Sequence, residues 1–254
     1  PGHVAYLSYL NLALSLHRCL EKSSRWASLN DQISAYLVRH IVNSPIHLLP
    51  TYPNTAFPAD NASVFGSIGV RNRCVNDGLF EQLSAIRKDF LARYTAAGTG
   101  LLIQSVDPVS GSMIDGARGS GTAFAIFLSA HGDAEFAAPL AKALRSKLSR
   151  ELAGFGTVRE YPQGVDGHGD IDSGPVVFGA SVAATGFSLA AARWLDDERW
   201  FTRLYCTTHL FGAPWTAQNI RRFSMGGPLG DSIMLAMLTF PKQSEQRAKH
   251  LCHD

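Results

Sequence analysis

The carboxylates best placed to do chemistry in this chain lie where loops enter predicted helices. Asp60 begins one helix, and Asp170 and Asp172 stand two residues apart in a Gly-rich loop before another. Paired carboxylates can push each other's pKa values apart, which provides an acid and a base. His3 suits proton transfer near neutral pH, because the unperturbed pKa of histidine is about 6.5. The sequence therefore predicts acid/base catalysis by His3, Asp60, Asp170 and Asp172.

Each of these residues also has a purely structural interpretation. Asp60 and the adjacent Asn61 are typical N-cap residues, which accept hydrogen bonds from the free backbone N–H groups of a helix start. His3 would then be a histidine satisfied within the core. Asp170 and Asp172 would cap the helix predicted from residue 176, or interact with its positive end.

A metal site is a further alternative for the Gly-rich loop. Asp170, Asp172 and His168 offer ligands for a hard cation, but their spacing matches no calcium-binding loop. We therefore predict neither a metal nor a cofactor.

Other polar and aromatic residues near the same junctions are candidates for substrate binding. They are Tyr6, Tyr52, Asn54, Asn61, Asp115, Arg118, Glu160, Tyr161, His168 and Trp215. For Asp115 and Arg118 the alternative is an ion pair that braces a loop, and for Trp215 it is a place in the core. The segments Gly119-Ser120-Gly121 and Gly226-Gly227-Pro228 lack the lysine of a phosphate-binding loop.

The junctions themselves form a repeat with a period of roughly 50–60 residues. They cover residues 2–6, 58–62, 119–123, 172–176 and 228–232. A repeat of this length is expected to place every junction at the same end of the fold, where the polar residues would line one mouth.

The helical pattern alternates between two types, which predicts two concentric layers. Helices rich in small and apolar residues follow the junctions and are expected to be buried, while the longer helices after them are amphipathic. The predicted helices are 4–20, 31–42, 59–73, 78–94, 122–130, 133–152, 176–195, 197–211 and 232–239. The predicted fold is an all-α (α/α)6 barrel over residues 1–241, lacking part of its first hairpin, with a polar tail over 242–254.

Two segments between the helices stand out. Residues 101–106 and 112–114 flank an Asp-Pro-Val-Ser-Gly turn and predict a β-hairpin at the mouth. Residues 154–175 form a long Gly-rich loop, and loops of this length in a compact domain are usually functional.

Composition sets further limits. The 254 residues carry a formal net charge of +2 with no basic block, which argues against a nucleic-acid partner. The chain contains no stretch of eighteen apolar residues, so we expect no transmembrane helix. The sequence leaves the compartment open. Cys19, Cys74, Cys206 and Cys252 are far apart, so each is predicted to be a buried small hydrophobic residue.

Taken in order, the motifs of the chain resemble the linalool dehydratase/isomerase family over about residues 1–210. The motifs that carry the resemblance are Gly2-His3, Pro58-Ala59-Asp60-Asn61, the turn from Asp107 to Gly111, the helix exit from Ser129 to Asp133, and the segment from Arg159-Glu160 through Asp170 to Ala192. The resemblance implies an (α/α)6 barrel, ring-like homo-oligomers and cofactor-free lyase–isomerase chemistry on a small alcohol, with His3 as the active-site histidine.

The chain departs from that family at the positions of its two active-site cysteines. These positions hold Phe57 and Gly66, so we expect the barrel to be kept and the reaction to be changed or lost. One alternative is a carbohydrate-active toroid, a glycosidase or sugar epimerase, with paired carboxylates and aromatic platforms at Tyr52, Tyr161 and Trp215. Another is a non-catalytic barrel for binding or assembly.

Overall fold

The computed structural model describes residues 3–246, which are mostly helical with small, separate β-hairpins. The chain divides into two compact units, Pro1–Ala143 and Leu144–Asp254. Gly2 of the first junction, Cys252 and residues 247–254 of the predicted tail lie outside the described residues. The prediction of a predominantly helical chain is confirmed.

In the first unit, the elements follow the predicted helical hairpins closely. They are α1 (Val4–Leu20), α2 (Ala27–Asn43), α3 (Pro58–Asn72), α4 (Leu79–Tyr94), β1 (Ile103–Val106), β2 (Met113–Ala117), α5 (Gly119–Ser129) and the start of α6 (Ala134–Lys147). The β-hairpin predicted before the third junction is therefore confirmed, with β1 and β2 antiparallel.

In the second unit, three further hairpins are interleaved with helices. The elements are β3 (Ser149–Leu152), β4 (Phe155–Val158), β5 (Val176–Val177), β6 (Ala180–Ser181), α7 (Val182–Trp194), α8 (Glu198–Gly212), β7 (Pro214–Ala217), β8 (Ile220–Phe223) and α9 (Gly227–Leu238).

Several predicted helix boundaries were wrong. Residues 149–152 form a strand rather than the end of a helix, and residues 176–181 form a hairpin before α7. The helix predicted from residue 31 begins at Ala27 after Trp26, so neither Asn30 nor Asp31 caps it. Helices α5 and α9 each begin earlier than predicted.

Helices α1 and α3 run parallel in the first unit. Contacts between them advance in the same direction along both helices, from Ser8 with Ser63 to Asn11 with Ser67. Helix α2 runs antiparallel to α1, since Asn30 reaches Ser15 while Ser34 reaches Asn11. In this unit α1 and α3 therefore run in one direction, and α2 returns between them in the sequence.

Helix α3 also runs parallel to α5. At three glycines in this contact the two backbones are too close for a side chain to lie between them. A Cβ added at Gly66 would lie 2.0 Å from the carbonyl oxygen of Leu128, and one added at Gly69 would lie 2.3 Å from that of Gly132. Gly132 is equally constrained, because its added Cβ would lie 2.2 Å from the Gly66 oxygen. Glycine is thus required on both sides of this contact.

A group of polar side chains is fully buried between α1, α2 and α3. The Asn30 amide nitrogen donates to the Asn11 oxygen at 2.8 Å, and the Ser34 hydroxyl donates to the same oxygen at 3.1 Å. The Asn11 amide nitrogen in turn donates to Ser67 Oγ at 3.1 Å. Buried polar groups are tolerated when they are hydrogen-bonded to one another in this way.

At one end of these helices lies a buried guanidinium. The Arg71 side chain is 3% exposed and donates to Asp31 Oδ1 at 2.6 Å and to Asp77 Oδ2 at 2.8 Å. Arg18 also donates to Asp31. The hydrogen bond from Arg71 lowers the pKa of Asp77, and at Asp31 the hydrogen bonds from Arg18 and Arg71 outweigh the effect of burial, so its pKa is also lowered.

Replacing Arg71 by methionine is expected to lower the free energy of unfolding at pH 7 by about 2 kcal/mol, because charge-assisted hydrogen bonds are lost. The carboxyl pKa values are lowered on folding, so the stabilisation is present above their unfolded value of about 3.9 and disappears as the pH falls through the folded values. The measurement is urea unfolding of both proteins between pH 7 and pH 3.

The matched control is Arg93→Met, which removes an ion pair with Asp89 whose two side chains are about half exposed. Such a surface pair contributes about 0.5 kcal/mol or less. If both variants lose the same stability, or if the Arg71 effect grows as the pH falls, the network does not stabilise the fold as described.

The second unit has its own core around α7 and α8. Trp194 and Trp200 are buried, and α8 begins after Asp197, whose carboxylate accepts from the backbone N–H of Trp200 at 2.9 Å. Helix α8 packs on β4, where Gly156 leaves no room for a side chain beside Arg203.

Within residues 3–246, none of the helices is long and apolar enough to cross a membrane.

Candidate functional site

The first three junctions meet at one end of the first unit. The His3 backbone N–H, just before α1, donates to the carbonyl oxygen of Pro50 at 3.1 Å, which places the start of α1 beside the loop that leads to α3. The same loop pairs with β1 through reciprocal backbone hydrogen bonds between Ala56 and Val106, each 2.9 Å long. Loops leading to α1, α3 and α5 therefore converge.

Asp60 lies at this convergence and is not a helix cap. The N-cap residue of α3 is the apolar Phe57, and Asp60 is the third residue of the helix. One of its carboxylate oxygens accepts a hydrogen bond from the Tyr9 hydroxyl, and the other accepts from Thr51 Oγ1 at 2.8 Å. The carboxylate is thus held between α1 and the loop before α3, half-buried.

Both hydroxyl partners of Asp60 are themselves fixed in place. Thr51 is buried, and its Oγ1 accepts from the backbone N–H of Phe57 at 3.2 Å. The Tyr9 ring packs edge-to-face against Phe124 of α5, with ring centroids 5.8 Å apart. Two oriented hydroxyl groups and one carboxylate form an arrangement that can transfer protons.

Beneath the carboxylate, two buried serines join α1 to α3. The Ser63 hydroxyl contacts Ser8 Oγ and also lies 2.5 Å from the Asp60 carbonyl oxygen. Ser8 donates to the Val4 carbonyl oxygen at 2.6 Å. These contacts fix the backbone of Asp60 relative to α1, so the carboxylate is held at both its main chain and its side chain.

Asn61 has a structural role in the same loop. Its amide nitrogen donates to the carbonyl oxygens of Leu49 and Phe57, both at 3.0 Å, and its amide oxygen accepts from the Leu49 backbone N–H at 2.8 Å. The side chain is fully buried. Asn61 therefore holds the loop that carries Thr51.

The other candidates in the first unit surround this cluster with varying exposure. His3 and Asn54 are exposed, and Tyr6 and Tyr52 are 70% and 62% exposed. Tyr52 lies edge-to-face against Phe57. All four lie at the start of α1 or in the loop before α3, the two segments that contact the Asp60 side chain.

Asp115 and Arg118 form the predicted ion pair. Arg118 Nη2 lies 2.7 Å from Asp115 Oδ2, with the guanidinium largely buried and the carboxylate partly exposed. The Arg118 carbonyl oxygen accepts from Thr122 at the start of α5. The pair therefore links the end of β2 to the third junction.

In the second unit, the two predicted carboxylates are exposed and belong to a turn. Asp170 Oδ1 accepts from the backbone N–H groups of Asp172 at 3.0 Å and of Ser173 at 2.9 Å. The helix they were expected to cap begins later, at Val182, and its cap is Ser181, whose hydroxyl accepts from Ala184 at 3.1 Å. Capping of this helix by Asp170 or Asp172 is therefore excluded.

Glu160, Tyr161 and His168 lie around the same Gly-rich loop. Glu160 is fully buried. The Tyr161 hydroxyl donates to the carbonyl oxygen of His168 at 2.8 Å, and its ring lies so close to Gly167 that an added Cβ would be 2.2 Å away. The Tyr161 side chain thus packs against residues 167 and 168 of the same loop, while the His168 side chain is exposed.

Trp215 lies on β7 opposite Arg222 of β8 and is about half exposed, so it is not a core residue.

An open apolar groove of about 550 Å³ lies elsewhere in this unit, lined by Ala153, Gly154, Phe155, Tyr205, Cys206, His209 and Leu210. Among residues 3–246, no three His, Cys, Asp or Glu side chains are grouped closely enough to hold a metal ion.

Sequence reasoning named Tyr6 and missed Tyr9 and Thr51. Tyr6 and Tyr9 are three residues apart on α1, and the sequence does not say which of them faces α3. The structure buries one side of α1, which carries Ser8, Asn11 and Ser15. Tyr9 lies about 100° around the helix from Ser8 and Tyr6 about 160°, so Tyr9 is closer to that side.

Gly66 is one of the two positions at which the predicted resemblance would place a cysteine, and no side chain fits there. Gly66 lies where α3 and α5 touch, and any Cβ there would meet the Leu128 carbonyl oxygen. Phe57, at the other position, is the N-cap residue of α3. The contact between α3 and α5 therefore excludes a cysteine at position 66.

Comparison with protein-family models gives no match for this chain, and comparison with curated proteins gives none either. Its chemistry has to follow from its own residues.

Proposed function

We propose that this chain contains an acid/base enzyme domain of the α/α-barrel type, related to the linalool dehydratase/isomerase family, that acts on a small molecule. In this proposal α1, α3 and α5 are inner helices of an (α/α)6 barrel, and the end where their junctions meet is its mouth. The observation that carries the proposal is the Asp60 carboxylate, which is half-buried and hydrogen-bonded by Tyr9 and Thr51.

The proposed roles follow from this arrangement. Asp60 accepts a proton from the substrate, because its carboxylate is held in a fixed orientation by Tyr9 and Thr51. Tyr9 and Thr51 orient the carboxylate. The Tyr9 hydroxyl donates its proton to a leaving oxygen, and the protonated Asp60 then returns a proton to Tyr9 through the hydrogen bond that joins them. The reaction class is elimination or isomerisation of an alcohol, without the two thiols that the family uses.

The substrate is to be identified by screening. Small tertiary and allylic alcohols test the lyase–isomerase proposal, and aryl glycosides test the carbohydrate-active alternative, which the exposed ring of Tyr52 beside this cluster favours. Turnover of an alcohol supports the first proposal, and turnover of a glycoside supports the second. Ligands that raise the melting temperature without being converted would indicate a binding domain instead.

Replacing Tyr9 by phenylalanine is expected to lower kcat about tenfold or more on the best substrate, because the Asp60 carboxylate loses its phenol donor. Tyr36→Phe is the matched control, since it removes a tyrosine hydroxyl from α2, where the ring packs against His40. The measurement is steady-state kinetics beside thermal unfolding. Equal activity of the two variants would show that Tyr9 takes no part.

Homo-oligomer formation remains a proposal that rests on the family resemblance. Light scattering of the purified chain measures the oligomeric state directly, and a monomer at all concentrations would contradict it.

A further inference from the structure

Two cysteines that are 55 residues apart in the sequence meet in the first unit. Cys19 is the next-to-last residue of α1, and Cys74 follows the end of α3 by two residues. Their sulfur atoms are 3.3 Å apart, and both residues are exposed. The prediction that each is a buried hydrophobic residue was therefore wrong for this pair.

The parallel packing of α1 and α3 brings the thiols together. Ser8 contacts Ser63 near the start of the two helices, and the pairing continues to Cys19 and Cys74 at their other end. A disulfide requires a sulfur–sulfur distance of about 2.0 Å. The two sulfur atoms, at 3.3 Å, therefore have about 1.3 Å to close, and rotation of the side chains would bring them together.

The surroundings of the two sulfur atoms differ. Although the Cys19 residue as a whole is exposed, its sulfur lies 3.7 Å from the carbonyl oxygen of Val70. Partial desolvation of the sulfur, together with the neighbouring Cys74, raises the pKa of the thiol to about 12. Arg18 and Arg73 oppose this rise with their positive charge. Cys19 is therefore a protonated thiol at neutral pH, and the first attack on an oxidant falls to Cys74.

We propose that Cys19 and Cys74 are a redox-active pair that a small-molecule disulfide converts into a reversible intramolecular disulfide. The Cys74 thiolate attacks one sulfur of the small disulfide, which forms a mixed disulfide and releases one thiolate. The Cys19 sulfur, losing its proton to solvent, then attacks Cys74 Sγ and releases the second thiolate. Overall, the two cysteines lose two electrons and two protons, and the small disulfide becomes two thiols.

This site is separate from the proposed acid/base function. Tyr9 and Asp60 lie near the starts of α1 and α3, whereas the thiols lie at the other ends of the same helices. The disulfide would tie the end of α1 to the segment after α3, next to the network in which Arg18 and Arg71 hold Asp31.

The test uses oxidised glutathione as the small disulfide, followed by alkylation of the remaining thiols and peptide mapping without reduction. The expected result is a single crosslink between the peptides that carry Cys19 and Cys74, which dithiothreitol reverses. Because the crosslink closes a long loop, it is expected to raise the melting temperature by roughly 5–10 °C.

Cys206→Ser is the matched control, because that cysteine lies on α8 in the second unit, and it should form the crosslink as the unchanged chain does. Cys74→Ser should form none, and mapping of the unchanged chain keeps the test valid if that variant is unstable. A stable mixed disulfide without a crosslink, a crosslink to another cysteine, or a crosslink that lowers the melting temperature would overturn the proposal.

Discussion

Replacing Gly66 by alanine is expected to lower the free energy of unfolding by about 3 kcal/mol or more. The new methyl group would lie 2.0 Å from the carbonyl oxygen of Leu128, and the atoms in contact belong to the backbone of α5. A backbone cannot rotate away as a side chain can, so α3 and α5 would have to separate. Such a separation would also disturb the contact between Gly69 and Gly132.

The matched control is Gly186→Ala in α7. Among the described residues, no atom would lie within 4 Å of a Cβ added there, and alanine in a helix interior is favoured over glycine by about 0.5–1 kcal/mol. Chemical unfolding followed by circular dichroism measures both variants. A Gly66→Ala protein as stable as the parent would show that α3 and α5 do not touch as described.

A thiol introduced at this position would meet the same backbone atoms. A cysteine at position 66 brings the same Cβ with a larger sulfur, so Gly66→Cys should lose at least as much stability. Chemistry that depends on a thiol at position 66 is therefore not reached by this single substitution.

The Asp60→Asn variant is expected to lower kcat/KM by about 10²–10⁴-fold on the substrate found by screening, because an amide cannot accept the proton. Asparagine keeps the shape of the side chain and one acceptor oxygen, so either Tyr9 or Thr51 retains its partner. Thermal unfolding should therefore change much less than turnover. Steady-state kinetics over a range of pH measures the effect.

The control for this variant is Asp107→Asn. Asp107 lies in the turn between β1 and β2, where one carboxylate oxygen accepts from the backbone N–H groups of Val109 and Ser110. An asparagine can accept the same bonds, so activity should be unchanged. Turnover by Asp60→Asn at the level of the parent would exclude Asp60 as the proton acceptor.

The helices were the part of the fold that the sequence predicted best, because their periodicity is local. The hairpin of β3 and β4 was missed because the local leucine spacing continues beyond the end of α6. Leu144 and Leu148 are spaced four apart and Leu152 continues the series, yet the chain reverses at Ala153 and Gly154, both at positive φ. Leu152 is 81% exposed, so the pattern there was accidental.

The candidate site was predicted in part. Asp60 could be singled out because its residue type and junction are visible in the sequence. Its partners could not, since Thr51 and Tyr9 reach it only through the packing of α1 and the loop against α3. The pairing of Cys19 with Cys74 depends on the alignment of two helices 55 residues apart, which no local pattern encodes.

The buried asparagines and serines between α1, α2 and α3 have a consequence for how the chain finds its fold. The nearest alternative alignment of two packed helices is a slip by one turn, about 5.4 Å. A slip of that size would leave Asn11, Asn30 and Ser67 in the core without the hydrogen bonds they now make, and each loss costs about 1–3 kcal/mol. These side chains therefore select one alignment of the three helices, and with it the alignment that brings Tyr9 to Asp60.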